Sequence, residues 1–72
     1  MRRVVYLRRI RVLSPFEESL VEQFDQEYER GEFPPIPATS NMAGVWDVSG
    51  GVACSRLEAL KRRGATRVEV EE

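Results

Sequence analysis

Pro34, Pro35 and Pro37 fall within four residues, and no other stretch constrains the fold of this chain as strongly. Each proline lacks the amide donor that a helix interior or a central strand requires, so Phe33-Pro34-Pro35-Ile36-Pro37 can be neither. The run reads as an extended, polyproline-type connection that continues through Ala38-Thr39-Ser40-Asn41. A connection of about a dozen residues is long for a small domain, and loops of that length are often functional.

On the N-terminal side, Val4-Val5-Tyr6-Leu7-Arg8-Arg9-Ile10-Arg11-Val12 is rich in β-branched and aromatic residues and reads as one strand. Val4, Tyr6, Ile10 and Val12 share one face with Arg8, while Val5, Leu7 and Leu13 share the other with Arg9 and Arg11. Such a strand suits a central position, or an edge that another chain covers. Ser14-Pro15-Phe16-Glu17 then opens a helix: Ser14 as cap, Pro15 in the first turn, Glu17 completing a capping box. Phe16, Leu20, Val21, Phe24 and Tyr28 follow helical spacing and Gly31 supplies the stop, predicting a helix over 15–30 with an acidic outer face.

Beyond the prolines, Val45-Trp46-Asp47-Val48 is a short strand by composition and Ser49-Gly50-Gly51 a turn. A second helix follows, opened by Ser49 or by a capping box at Ser55 and Glu58. Ala53, Leu57 and Leu60 line its inner side, Lys61-Arg62-Arg63 favour its C-terminal dipole, and Gly64 ends it. Thr66-Arg67-Val68-Glu69-Val70-Glu71 alternates as a half-exposed final strand. The order is strand, helix, loop, strand, helix, strand: a single α+β domain over 1–72, with two helices on a small sheet of residues 3–12, 45–48 and 66–70. Its expected core is Val4, Val5, Tyr6, Leu7, Ile10, Val12, Phe16, Leu20, Val21, Phe24, Tyr28, Val45, Trp46, Val48, Leu57, Leu60, Val68 and Val70.

The 72-residue length allows one domain, and a chain of that size buries only about 60% of its unfolded surface. With 42% hydrophobic and 32% charged residues it fits a soluble globular domain rather than a disordered tail. Its longest apolar run is Val4 to Leu7, so no segment approaches a membrane span. Arg8, Arg9 and Arg11 interrupt what a secretory leader would need, and the expected compartment is a cytoplasm. The net charge of −1 conceals strong polarisation. Residues 1–13 carry Arg2, Arg3, Arg8, Arg9 and Arg11 and no acid, giving +5; residues 14–32 carry seven acids and Arg30, giving −6. Residues 33–54 give −1 and residues 55–72 give +1. Polarity of this kind bears on partner choice and association rate rather than on fold.

Chemistry is thinly supplied. There is no histidine and one cysteine, which removes most metal sites and the usual general base, so neither enzyme activity nor a cofactor is expected. Cys54 lies near the start of the second helix, where a dipole can lower a thiol pKa, but with no base beside it reads as a small semi-buried residue. Ser49-Gly50-Gly51 could present amides to a phosphate, yet it lacks the lysine of a P-loop and the glycine spacing of a dinucleotide site, and reads as a turn. Glu17, Glu18, Glu22, Asp25 and Glu29 describe a solvated face rather than a cation site.

The candidate binding residues are therefore Arg2, Arg3, Tyr6, Arg8, Arg9 and Arg11. Five guanidinium groups with a tyrosine among them make a docking edge for an acidic protein surface or, alternatively, a nucleic-acid contact. A third possibility is neutralisation by the acidic helix. The whole-molecule charge of −1 favours a protein partner, since nucleic-acid-binding domains are usually basic. The run Arg2-Arg3-Val4-Val5-Tyr6-Leu7-Arg8-Arg9-Ile10-Arg11, with the overall length, resembles the small RNA-polymerase-binding transcription regulators of lytic Xanthomonas phages. That resemblance implies a host RNA polymerase partner touched near the N-terminal part of its β′ subunit. It further implies inhibition of initiation through loss of the promoter-specificity factor, and antitermination.

Overall fold

The computed structural model describes residues 1–41 and 43–72 as two helices and two three-stranded sheets in one α+β unit. The N-terminal segment does not form one strand. It makes β1 (Arg2–Tyr6), a single 3₁₀ turn over Leu7–Arg9, and β2 (Ile10–Val12). The turn hands the chain from one sheet to the other: β1 runs antiparallel to β6 (Arg67–Glu71), and β2 runs parallel to β5 (Trp46–Val48).

The proline segment repeats this arrangement on the far side. Ile36–Pro37 forms β3, parallel to β6, and Thr39–Ser40 forms β4, antiparallel to β5. The sheet orders are β1-β6-β3 and β2-β5-β4, so β3, the strand that bears a proline, is an edge, as its missing donor requires. The backbone around Pro37 stays anchored because Ala38 N–H donates to the Glu71 carbonyl at 3.0 Å. Every strand segment thus joins one circuit: β1 to β6, β6 to β3, β3 through Ala38 to β4, β4 to β5, β5 to β2, and β2 back to β1 through the turn.

Helix α2 (Gly51–Arg62) lies against the inner faces of both sheets. Its Ala53, Cys54, Leu57 and Leu60 pack with Ile36, Ala38, Val48, Val68 and Val70. Helix α1 (Glu18–Glu29) packs on the outer side of α2 through a smaller cluster of Val21, Phe24 and Ala59. Of the expected core, Val4, Tyr6, Val12, Phe16 and Tyr28 are exposed instead. Ile36, read as part of a linker, is fully buried. Gly31 and Gly64 end the two helices with positive φ of 74° and 78°, where a side chain would be strained.

The helix starts depart from the sequence expectation. α1 begins at Glu18 rather than residue 15, and Ser14 is not its cap. Leu13 N–H still donates to the Val48 carbonyl, and Ser14 Oγ accepts the N–H of Gly50, so residues 13–14 remain bound to β5 and the start of α2. The N–H of Glu17, the α1 cap residue, donates instead to Ser55 Oγ at 2.9 Å. α2 is opened by Gly50; Ser49 makes no cap bond, and Ser55 is fully buried in the second turn rather than heading a capping box. Among the described residues no helix is long and apolar enough to cross a membrane.

Candidate partner-binding surface at the N-terminal segment

The acidic face of α1 does not neutralise the N-terminal arginines. Three of its carboxylates are taken by the end of α2. Arg62 makes a two-pronged contact with Glu18 and a further bond to Glu58, and Arg63 binds Asp25 and Glu29. The same guanidinium groups cover aromatic rings, Arg62 over Phe16 at 5.3 Å and Arg63 over Tyr28 at 4.7 Å. Hydrogen bonding to Arg62 holds the Glu18 carboxyl below its ordinary pKa, and the same bond with that from Glu58 raises Arg62.

The six candidate residues fall into distinct environments. Arg11 is engaged: its Nε and Nη2 bind both oxygens of Asp47 at 2.9 and 3.0 Å, a fork directly across the β2–β5 pairing. Arg2 sits opposite Glu71 and approaches it to 3.6 Å, with both side chains largely in solvent. Arg3, Arg8 and Arg9 have no carboxylate within ion-pairing distance among the described residues. Arg8 lies over the Tyr6 ring, 5.0 Å from its centroid, and Arg3 lines a cavity of about 250 Å³ with Met1, Ser40, Gly44, Trp46 and Glu72.

The register of β1 on β6 fixes which side chains share a face. Arg2, Val4 and Tyr6 stand beside Glu71, Glu69 and Arg67 on the outer face, while Val5 points with Val68 and Val70 toward the core. Val4 is 65% exposed and Tyr6 50%. The end of this face opens into a cleft of about 500 Å³ lined by Tyr6, Leu7, Arg8, Ala65 and Thr66. Val4 and Arg67 therefore belong to the surface, although the sequence pattern placed Val4 in the core and Arg67 in a remote strand. Nothing short of the register brings Arg67 beside Tyr6.

The other candidates lose the groups that chemistry would use. Cys54 is 3% exposed and its thiol donates to the Val48 carbonyl at 3.5 Å. The Gly50 amide, which a phosphate would need, is held by Ser14. Among the described residues no group of three or more His, Cys, Asp or Glu side chains could hold a metal ion. No protein-family model, curated protein or solved structure matches this chain.

Proposed function

We propose that this chain is a small non-enzymatic regulatory protein that acts by binding another protein through its N-terminal arginine segment. The partner in this reading is bacterial RNA polymerase, met in the host cytoplasm, with inhibition of initiation and promotion of antitermination as the outcome. One observation carries the binding part: Arg62 and Arg63, not the N-terminal arginines, engage Glu18, Asp25 and Glu29 of α1, and Arg3, Arg8 and Arg9 have no acidic partners among the described residues beside the exposed Val4 and Tyr6. Unpaired guanidinium groups next to exposed apolar side chains are the composition of an interface anchor. The choice of polymerase rests on the resemblance of the run from Arg2 to Arg11.

Protein is favoured over nucleic acid because Glu69 and Glu71 stand on the same face as Val4 and Arg2, where they repel phosphates. The test measures binding of the full chain to bacterial RNA polymerase, with a double variant carrying Arg8→Glu and Arg9→Glu as the comparison. Loss of binding by well over about tenfold, with an unchanged circular dichroism spectrum, supports the reading. Normal binding by the folded variant overturns it. Strong, salt-sensitive mobility shifts of generic DNA or RNA would assign the surface to nucleic acid.

A further inference from the structure

The pairing of β1 with β6 determines which backbone groups of β1 are spent. In an antiparallel pair, residues alternate between those that exchange hydrogen bonds with the partner strand and those whose N–H and C=O point away from it. Met1 and Glu72 exchange bonds in both directions, and Leu7 N–H donates to the Thr66 carbonyl at 2.9 Å. The register between these two pairs is one to one. Met1, Arg3, Val5 and Leu7 therefore turn their backbone groups toward β6, while Arg2, Val4 and Tyr6 turn theirs outward. The Tyr6 carbonyl, as the cap of the 3₁₀ turn, is taken by that turn. Among the described residues nothing meets the other five groups: β1 ends its sheet, and no loop backbone bonds to them.

An open strand edge is a template for another strand. Proteins usually blunt such an edge with prolines or with charges of the strand's own. Here the side chains beside the outward groups at the centre, Val4 and Tyr6, are apolar and exposed. The positive charge stands at the two ends, Arg2 and Arg3 before the centre and Arg8 and Arg9 after it. Three of these four have no carboxylate partner among the described residues, and the fourth has only the 3.6 Å contact with Glu71.

We infer that the edge of β1 takes an extended segment of a partner protein as an added strand, apolar at its centre and carrying carboxylates toward both ends. The outward N–H and C=O groups of Arg2 and Val4 and the N–H of Tyr6 supply the main-chain bonds, and the flanking arginines select the acidic ends. A second copy of the chain fits the edge less well, because pairing β1 with itself brings two sets of unpaired arginines together. The inference rests on the protein-binding reading above and specifies its mode.

The probe is the heptapeptide Glu-Glu-Val-Thr-Val-Glu-Glu, whose palindromic sequence serves either strand direction. Its controls are Lys-Lys-Val-Thr-Val-Lys-Lys and Glu-Glu-Pro-Gly-Pro-Glu-Glu, which lack the charge and the strand capacity respectively. Titrated into the full chain, the acidic strand peptide is expected to shift the amide resonances of Arg2, Val4 and Tyr6 and slow their hydrogen exchange. The two controls are expected to leave these amides unprotected. Val4→Pro removes an N–H that faces solvent, a position where an edge strand tolerates proline, and is expected to weaken the peptide by about tenfold or more. No shift at these amides with the acidic peptide in excess overturns the inference. So does equal binding of the Pro-Gly-Pro control, which would reduce the contact to charge alone. A concentration-dependent dimer that protects Val4 and Tyr6 would assign the edge to a second copy and also overturn it. If RNA polymerase binding is lost on Arg8→Glu with Arg9→Glu but kept by folded Val4→Pro, the strand mode fails while the protein-binding reading stands.

Discussion

Ser14 and Ser55 each accept the N–H of the residue that caps the other one's helix. Ser14, ahead of α1, holds Gly50 at the start of α2, and Ser55, inside α2, holds Glu17 at the start of α1. Two helices whose own caps make no side-chain bond are thereby fastened at one end. Ser55 also donates to the Gly51 carbonyl, so its buried hydroxyl is used in both directions.

Replacing Ser55 by Ala leaves the Glu17 N–H unpaired in a half-buried position, an omission that costs about 1–3 kcal/mol. Ser14→Ala frees an N–H that water can reach and should cost less, about 0.5–1.5 kcal/mol. Urea denaturation of both variants checks the order. A Ser14 variant less stable than the Ser55 variant would show that the exchange is not what orders the two helices.

Leu57 and Ile36 are fully buried in the main cluster, and truncating either to Ala should cost about 2–5 kcal/mol, enough to unfold most of so small a domain. Phe16→Ala, at a side chain 44% exposed, should leave a folded protein. Circular dichroism at rising temperature distinguishes the two outcomes. An Ile36→Ala variant as stable as the parent would return the proline segment to the role of a linker.

The Glu18 carboxyl is held below its ordinary pKa by its bond to Arg62, so this group binds a proton more tightly in the unfolded chain than in the folded one. Its stabilisation is complete above the ordinary value of 4.5 and is lost as the pH falls through the lower, folded value. Glu18→Gln is therefore expected to be less stable than the parent at neutral pH, with the difference closing in acid. Denaturation midpoints measured from pH 7 downward test this; a gap that widens toward low pH contradicts the assigned pair.

Arg11 and Arg9 are separated by a single residue yet should respond differently. Arg11→Ala removes the fork on Asp47 and is expected to lower stability slightly, with little change in partner binding. Arg9→Ala removes no ion pair among the described residues and should leave the unfolding midpoint in place while weakening the partner. Paired melting and binding measurements on the two single variants decide the point. Equal binding losses from both would mean that the Asp47 fork opens on complex formation.

The helices were legible because their signals are local. Gly31 and Gly64, and the spacing of Leu20, Val21 and Phe24, lie within a few turns of what they control. What escaped the sequence is set at long range. Ser14 sits three residues ahead of Glu17, as a capping box demands, and nothing in that spacing reveals that Gly50 and Ser55 claim the two groups. The run from Val4 to Val12 has one unbroken β composition, yet its 3₁₀ turn arises because β6 pairs with its first half and β5 with its second. Exposure of Val4 and Tyr6 follows from the same register. The arginine cluster was visible as a count, but which of its members are free depended on where Arg62, Arg63 and Asp47 lie in space.

The closed circuit of strand pairings also governs how fast the molecule can form. β6 lies between β1 and β3, and its register joins Arg2 to Glu71, a contact spanning almost the whole sequence. β2 reaches β5 across about half of the chain, Ile10 to Trp46. Loop-closure entropy must be overcome before any of these contacts returns stabilisation, so folding should be slow compared with helical proteins of the same size. The α1–α2 pair, although helical, cannot shorten that search, because the cap of each helix depends on a residue beside the other.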